Sequence, residues 1–143
     1  MFKILFVAMS LIALPNLVAA EDKRQLVELP EPMREHMLGN MRDHLLALET
    51  ITRQLANQEY EQAAEVAETR LGMSSLDVHG AVHMAQFMPV SMQAIGTSMH
   101  RAASQFAIAA QEAAVEGGLN KAFAALSDVM QQCVACHTAY RIH

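Results

Sequence analysis

Two cysteines and a histidine within five residues, Cys133-Val134-Ala135-Cys136-His137, are the side chains of this sequence best equipped for chemistry. Cys-x-x-Cys-His is the attachment signature of a c-type haem: both thiols become thioethers to the porphyrin vinyl groups and the imidazole ligates the iron. On a helix, positions i, i+3 and i+4 share one face, so Cys133, Cys136 and His137 can all address one edge and one face of a flat macrocycle. A Cys-x-x-Cys pair also serves thioredoxin-like redox centres, half zinc sites and short disulfides. Here no strand pattern precedes the motif, and no second Cys or Cys/His pair exists to complete a tetrahedral zinc site.

The start of the chain bears on the same question. Residues 1–20 carry Lys3, an apolar run from Ile4 to Leu17 interrupted by Ser10, Pro15 and Asn16, and then Val18-Ala19-Ala20 ahead of acidic Glu21-Asp22. This predicts a secretory signal peptide over 1–20, cleaved after Ala20. The run is short for a membrane span, and no basic stop-transfer flank follows it. The remaining domain, 21–143, is then exported, to the periplasm if the source is a Gram-negative bacterium. Removing Lys3 takes the formal net charge from −5 to −6, which excludes nucleic acid as a natural partner. With no Trp, five Phe and two Tyr, the core falls to aliphatic residues and to eleven Met. Flexible thioethers suit irregular gaps around a rigid cofactor as well as an ordinary helical core.

Four amphipathic segments must position the motif. The first runs from Pro32 to about Ala56, with Met37, Met41, His44, Leu48, Ile51 and Leu55 on one inward stripe. Gly39 in this segment is either a small local cost or a place of close approach. The second, from about Tyr60 to Leu71, turns Ala63, Ala64, Ala67 and Leu71 inward and ends at Gly72. Residues 73–88 read as a loop with a short helical turn. Pro89 opens the third helix, which runs to about Glu116 with a seam of Met88, Met92, Ile95, Met99, Ala102, Phe106, Ala109 and Ala113. After Gly117-Gly118, the fourth carries Leu119, Phe123, Leu126, Met130, Cys133, His137 and Tyr140 at the same steps. The pattern predicts an all-α protein, an antiparallel four-helix bundle with haem attached on the C-terminal helix.

A haem motif on the last helix of an exported four-helix protein resembles the class II cytochromes c, the cytochrome c prime and cytochrome c-556 family. The ending Cys133-Val134-Ala135-Cys136-His137-Thr138-Ala139-Tyr140-Arg141 is similar to that family's Cys-x-x-Cys-His-x-x-Tyr-Arg. The resemblance implies one covalent haem c, His137 as proximal iron ligand and Arg141 beside the haem; a cation near a helix C-terminus is the plainer account of Arg141. In the first helix, Met37-Leu38-Gly39-Asn40 looks like the region that supplies a methionine ligand in the c-556 type. Met37 is therefore the expected distal ligand. Met33 and Met41 lie one turn to either side, His44 shares the stripe and would give bis-histidine ligation, and Leu38 over an open iron would give a five-coordinate centre.

These residues imply a one-electron carrier and no classical enzyme chemistry, with periplasmic redox proteins as partners, no stable membrane insertion, and the homodimers common in the resembling family. The alternative is a cytochrome c prime-like protein that binds NO or CO on an open distal face. One feature departs from the family pattern: Met73, His79, His83, Met84, Met88, Met92, Met99 and His100 concentrate thioether and imidazole groups that suit Cu(I). Core methionines and solvated histidines would give the same pattern. If the loop were helical, His79 and His83 would share a face.

Overall fold

The computed structural model describes residues 21–143. The signal peptide expected over 1–20 lies outside the described residues. The described residues are mostly helical, and among them are two strands of two residues each.

Helix α1 (Glu31–Ala56) begins with Pro32 in its first turn, where a missing N–H costs no hydrogen bond. It turns inward Met37, Ala47, Ile51 and Leu55, with Met41, His44 and Leu48 half-buried beside them. Helix α2 (Tyr60–Arg70) contributes Ala63, Ala64 and Ala67, and Leu71 just beyond it is buried with them. Residues 73–88 hold a single 3-10 turn (Met73–Ser75) and the five-residue helix α3 (Ala81–Ala85). Helix α4 (Val90–Glu116) follows Pro89, and helix α5 (Leu119–Ala139) follows a turn of two glycines. Gly117 and Gly118 both have positive φ, 73° and 112°, a region that a Cβ disfavours.

Along the chain, α1 packs on α2, α2 on α4, and α4 on α5. Two clusters of buried residues result. One is alanine-rich, built from Ala63, Ala64, Ala67, Ala103, Ala107 and Ala110 around Phe106, Ile51 and Leu55. Small side chains let helix backbones approach closely, so little space remains there. The other cluster, at the end that carries the cysteine motif, is rich in methionine: Met37, Met84 and Met92 with Val27 and Tyr140, flanked by Met33, Met41 and Met88.

The expected helix limits agree with the structure to within about a residue. The expected face of α5 needs correction. Phe123, Met130 and His137, placed on its inward stripe by the sequence pattern, are exposed, the first two 44% each, and the buried residues are Ala122, Leu126 and Val129. Stepping by three before four from Leu119 gives the buried series Leu119, Ala122, Leu126, Val129, Cys133, Cys136 and Tyr140, of which Leu119, Cys133 and Cys136 are half-buried. The smaller residues face α4. The seam of α4 holds at Met92, Met99, Phe106 and Ala113, but a second buried stripe of His100, Ala103, Ala107 and Ala110 accompanies it. α4 lies between two neighbours and is therefore covered on two faces.

The first and last segments of the described residues are tied together. β1 (Gln25–Leu26) pairs in parallel with β2 (Tyr140–Arg141), and the Val27 N–H donates to the Arg141 carbonyl at 2.8 Å. Helix α5 stops where Tyr140 turns extended. The Tyr140 hydroxyl meets Ser91 Oγ of α4 at 2.6 Å.

Candidate functional site

Cys133, Cys136 and His137 sit in the last two turns of α5, on the side that looks across to α1 and α4. Both cysteines are free and half-buried. Burial raises both thiols above the ordinary cysteine value, and Cys133 adds to the effect at Cys136. Protonated, half-buried thiols are the opposite of the low-pKa thiolate of a thiol–disulfide centre. Arg24, from the segment before β1, donates to the His137 carbonyl at 3.3 Å, one of the α5 carbonyls left without a helical partner. The same guanidinium pairs with Asp22 at 2.7 Å.

The three motif residues line a cavity of about 240 Å³. Its walls are largely apolar, with Asn40, His44, His79, His100 and Gln132 as polar side chains among them. Met37, Met41, Leu45 and Leu48 enter from α1, Met84 from α3, and Met92, Ile95 and Met99 from α4, with Met88 from the preceding turn. A second cavity of about 250 Å³ adjoins it, with Met37, Met41, Met92, Cys136 and His137 common to both. Arg24, Leu38, Tyr140, Arg141, Ile142 and His143 complete the second cavity. Gly96 leaves a recess in the α4 wall, because a Cβ built there would meet no atom within 4 Å. Gly39 is likewise open, so no close approach of protein atoms accounts for it.

These walls fit a large, flat, mostly apolar cofactor. Two thiols and an imidazole on one helix line the same space as several thioethers. Among the described residues no group of three or more His, Cys, Asp or Glu side chains stands in metal-binding geometry. A haem brings its own equatorial nitrogens and asks the chain only for axial ligands.

No protein-family model, curated protein or solved structure matches this chain.

Met37, the expected distal ligand, is 9% exposed and lines both cavities, as His137 does. Met41 shares that position. Met92 does too, which the sequence showed as a seam residue of α4 and as one of the methionines concentrated between residues 73 and 100. Met33 packs beside Met37 but lines neither cavity. Arg141 lines the second cavity and lies 3.7 Å from Asp22. His36, off the inward stripe, donates from Nε2 to the His79 carbonyl at 2.9 Å, and Asn40 donates to the same oxygen at 3.1 Å. Together they latch the 73–88 segment onto α1.

The methionine and histidine concentration between residues 73 and 100 divides in two. His79, Met84, Met88, Met92, Met99 and His100 line the first cavity, whereas Met73 and His83 do not. His83 is exposed and bonded to Gln86. His79 and His83 do not share a helix, because Gly80 with φ 62° separates them at the start of α3. His44 instead joins His79 and His100 from α1, a grouping the linear order of the sequence hides. Burial first, then the neighbouring His79 and His100, holds the His44 imidazole down at about 4. Burial and His100 lower His79 as well.

Proposed function

We propose that this protein is an exported monohaem cytochrome of the class II type that carries one electron at a time between periplasmic redox proteins. The reading makes it an antiparallel four-helix bundle with haem c held on the C-terminal helix. One observation supports it above the others: Cys133, Cys136 and His137 of a Cys-x-x-Cys-His motif line one largely apolar cavity together with Met37, Met41 and Met92.

In this reading Cys133 and Cys136 would anchor the haem, and His137 and Met37 would be its iron-ligating residues. Haem supplies a one-electron ferric/ferrous couple, and methionine–histidine ligation raises its potential. The chain does the rest. Arg24 and the β1–β2 pairing hold the end of α5, so that His137 keeps its place relative to α1. The methionine wall excludes water and adapts to an irregular outline. A thioether already on the iron blocks added gases, and fixed side-chain positions on both walls suit a change of charge without rearrangement.

The deciding experiment is the visible spectrum of the haem-loaded protein, oxidised and dithionite-reduced, with and without carbon monoxide. A low-spin spectrum with a sulfur-to-iron charge-transfer band, unmoved by carbon monoxide, is the expected result. A high-spin spectrum that shifts with carbon monoxide replaces the carrier with a gas-binding protein in which Met37 serves only as core.

A further inference from the structure

The segment between α2 and α4 is fastened to α4 at both ends. At its start the Met73 N–H donates to Ser104 Oγ at 3.0 Å, and the 3-10 turn Met73–Ser75 packs on α2 and α4. At its end Gln93 Nε2 donates to the Ala85 carbonyl at 2.8 Å and to the Met88 carbonyl at 2.9 Å. Gln93 belongs to the first turn of α4, so this clasp moves with that helix.

The middle of the segment reaches across to α1, and two hydrogen bonds to that helix converge on one atom. The His79 carbonyl accepts from His36 Nε2 at 2.9 Å and from Asn40 Nδ2 at 3.1 Å. His36 and Asn40 are four residues apart on α1 and so share one face. Gly80 makes the double contact possible. Its φ of 62° turns the chain through the left-handed region, and a Cβ there would stand 3.2 Å from His36 Nε2, closer than ordinary contact.

Between this latch and the Gln93 clasp lies α3, five residues long. A helix so short does not hold itself in water. Among the described residues α3 packs extensively on no other helix. Only Met84 of its five residues is buried, at 2% exposure, whereas Val82 is 88% exposed. Ala81 and Met84, with His79 ahead of them and Met88 behind, line the first cavity. The segment thus covers part of the cavity while depending on neighbours to stay in place.

We propose that residues 76–88 are a lid on the first cavity, carried by α4, latched to α1 through the His79 carbonyl, and opened by release of that latch. Opening brings the Met84 thioether and the His79 side chain, both buried when closed, into solvent and admits small molecules to the methionine wall. His36 and Asn40 then set how often the cavity is open. The lid acts on the cavity whatever occupies it, so its test and that of haem attachment have separate outcomes.

The test is hydrogen exchange of the purified full chain, read by peptide mass, together with brief chloramine-T treatment and mapping of methionine sulfoxide. In the unaltered protein the 76–88 amides exchange through an opening insensitive to low urea, whereas those of 103–110 in α4 exchange through a urea-dependent one. In the double variant His36→Ala, Asn40→Ala, 76–88 exchanges roughly tenfold faster, and oxidation of Met84 rises with it relative to the exposed Met73. Both substitutions place a strong helix former on α1, and the unaltered chain alone already reads the separate opening. Equal urea dependence for 76–88 and 103–110, unchanged 76–88 exchange in the double variant, or unchanged Met84 oxidation would each overturn the proposal.

Discussion

Met37 on α1 and His137 on α5 line the same two cavities from different helices. If the iron lies between them, Met37→Ala opens the distal side: the spectrum turns high-spin and carbon monoxide binds. Removing a buried methionine also lowers stability by about 2 kcal/mol, measurable by urea unfolding. Met41→Ala and Met92→Ala lose similar stability but keep the low-spin spectrum. If either of those variants, and not Met37→Ala, turns high-spin, the ligand assignment moves to that residue.

Cys133 and Cys136 each anchor one side of the ring in this account. Cys133→Ser and Cys136→Ser singly leave one thioether, which shifts the reduced pyridine haemochrome band toward that of a haem with one free vinyl group. The double variant leaves haem that acidified acetone extracts. Extraction of all haem from either single variant contradicts attachment at two thiols.

Gly96 makes room in the α4 wall. Gly96→Ala adds a Cβ that touches nothing and removes the helix cost of glycine, so the apoprotein gains roughly 0.5 to 1 kcal/mol. Gly96→Phe puts a ring where the cofactor would lie and lowers haem content severalfold, with helicity unchanged by circular dichroism. Normal haem content in Gly96→Phe means the cofactor lies elsewhere.

The His44 imidazole gives the protein a pH dependence of known sign. Its folded-state value, about 4, is below the unfolded value of 6.5, so the unfolded chain binds the extra proton between them. The stability it contributes is fully present above pH 6.5 and is lost as the pH falls toward 4. Facing His79 and His100 oppose its charging further, the Arg70 guanidinium does so weakly, and Asp43 works against them. Denaturant unfolding between pH 7 and 4 should show this loss, and His44→Gln should flatten it. An equal slope in the variant assigns the loss to other groups.

Much of the scaffold was legible from residue types. Pro32 and Pro89 mark the starts of α1 and α4, Gly117-Gly118 the turn into α5, and the stripe Met37, Met41, His44, Leu48, Ile51, Leu55 the inward face of α1. The face of α5 was misread because large apolar residues draw attention to Phe123 and Met130, while close packing on α4 selects Ala122 and Val129. The β1–β2 pairing escaped notice because strands of two residues leave no periodicity. His44, His79 and His100 are distant in sequence and meet only through packing of α1, the 73–88 segment and α4. The motif itself needed no fold to be seen, but the methionine wall opposite it did.

The most direct test of the central claim is the intact mass of the purified protein under denaturing conditions, with peptide mapping of the 133–137 segment. Covalent attachment predicts a chain heavier by one haem, the added mass confined to the peptide that holds Cys133 and Cys136. A chain of unmodified mass, or one lighter by two hydrogens through a Cys133–Cys136 disulfide, contradicts it.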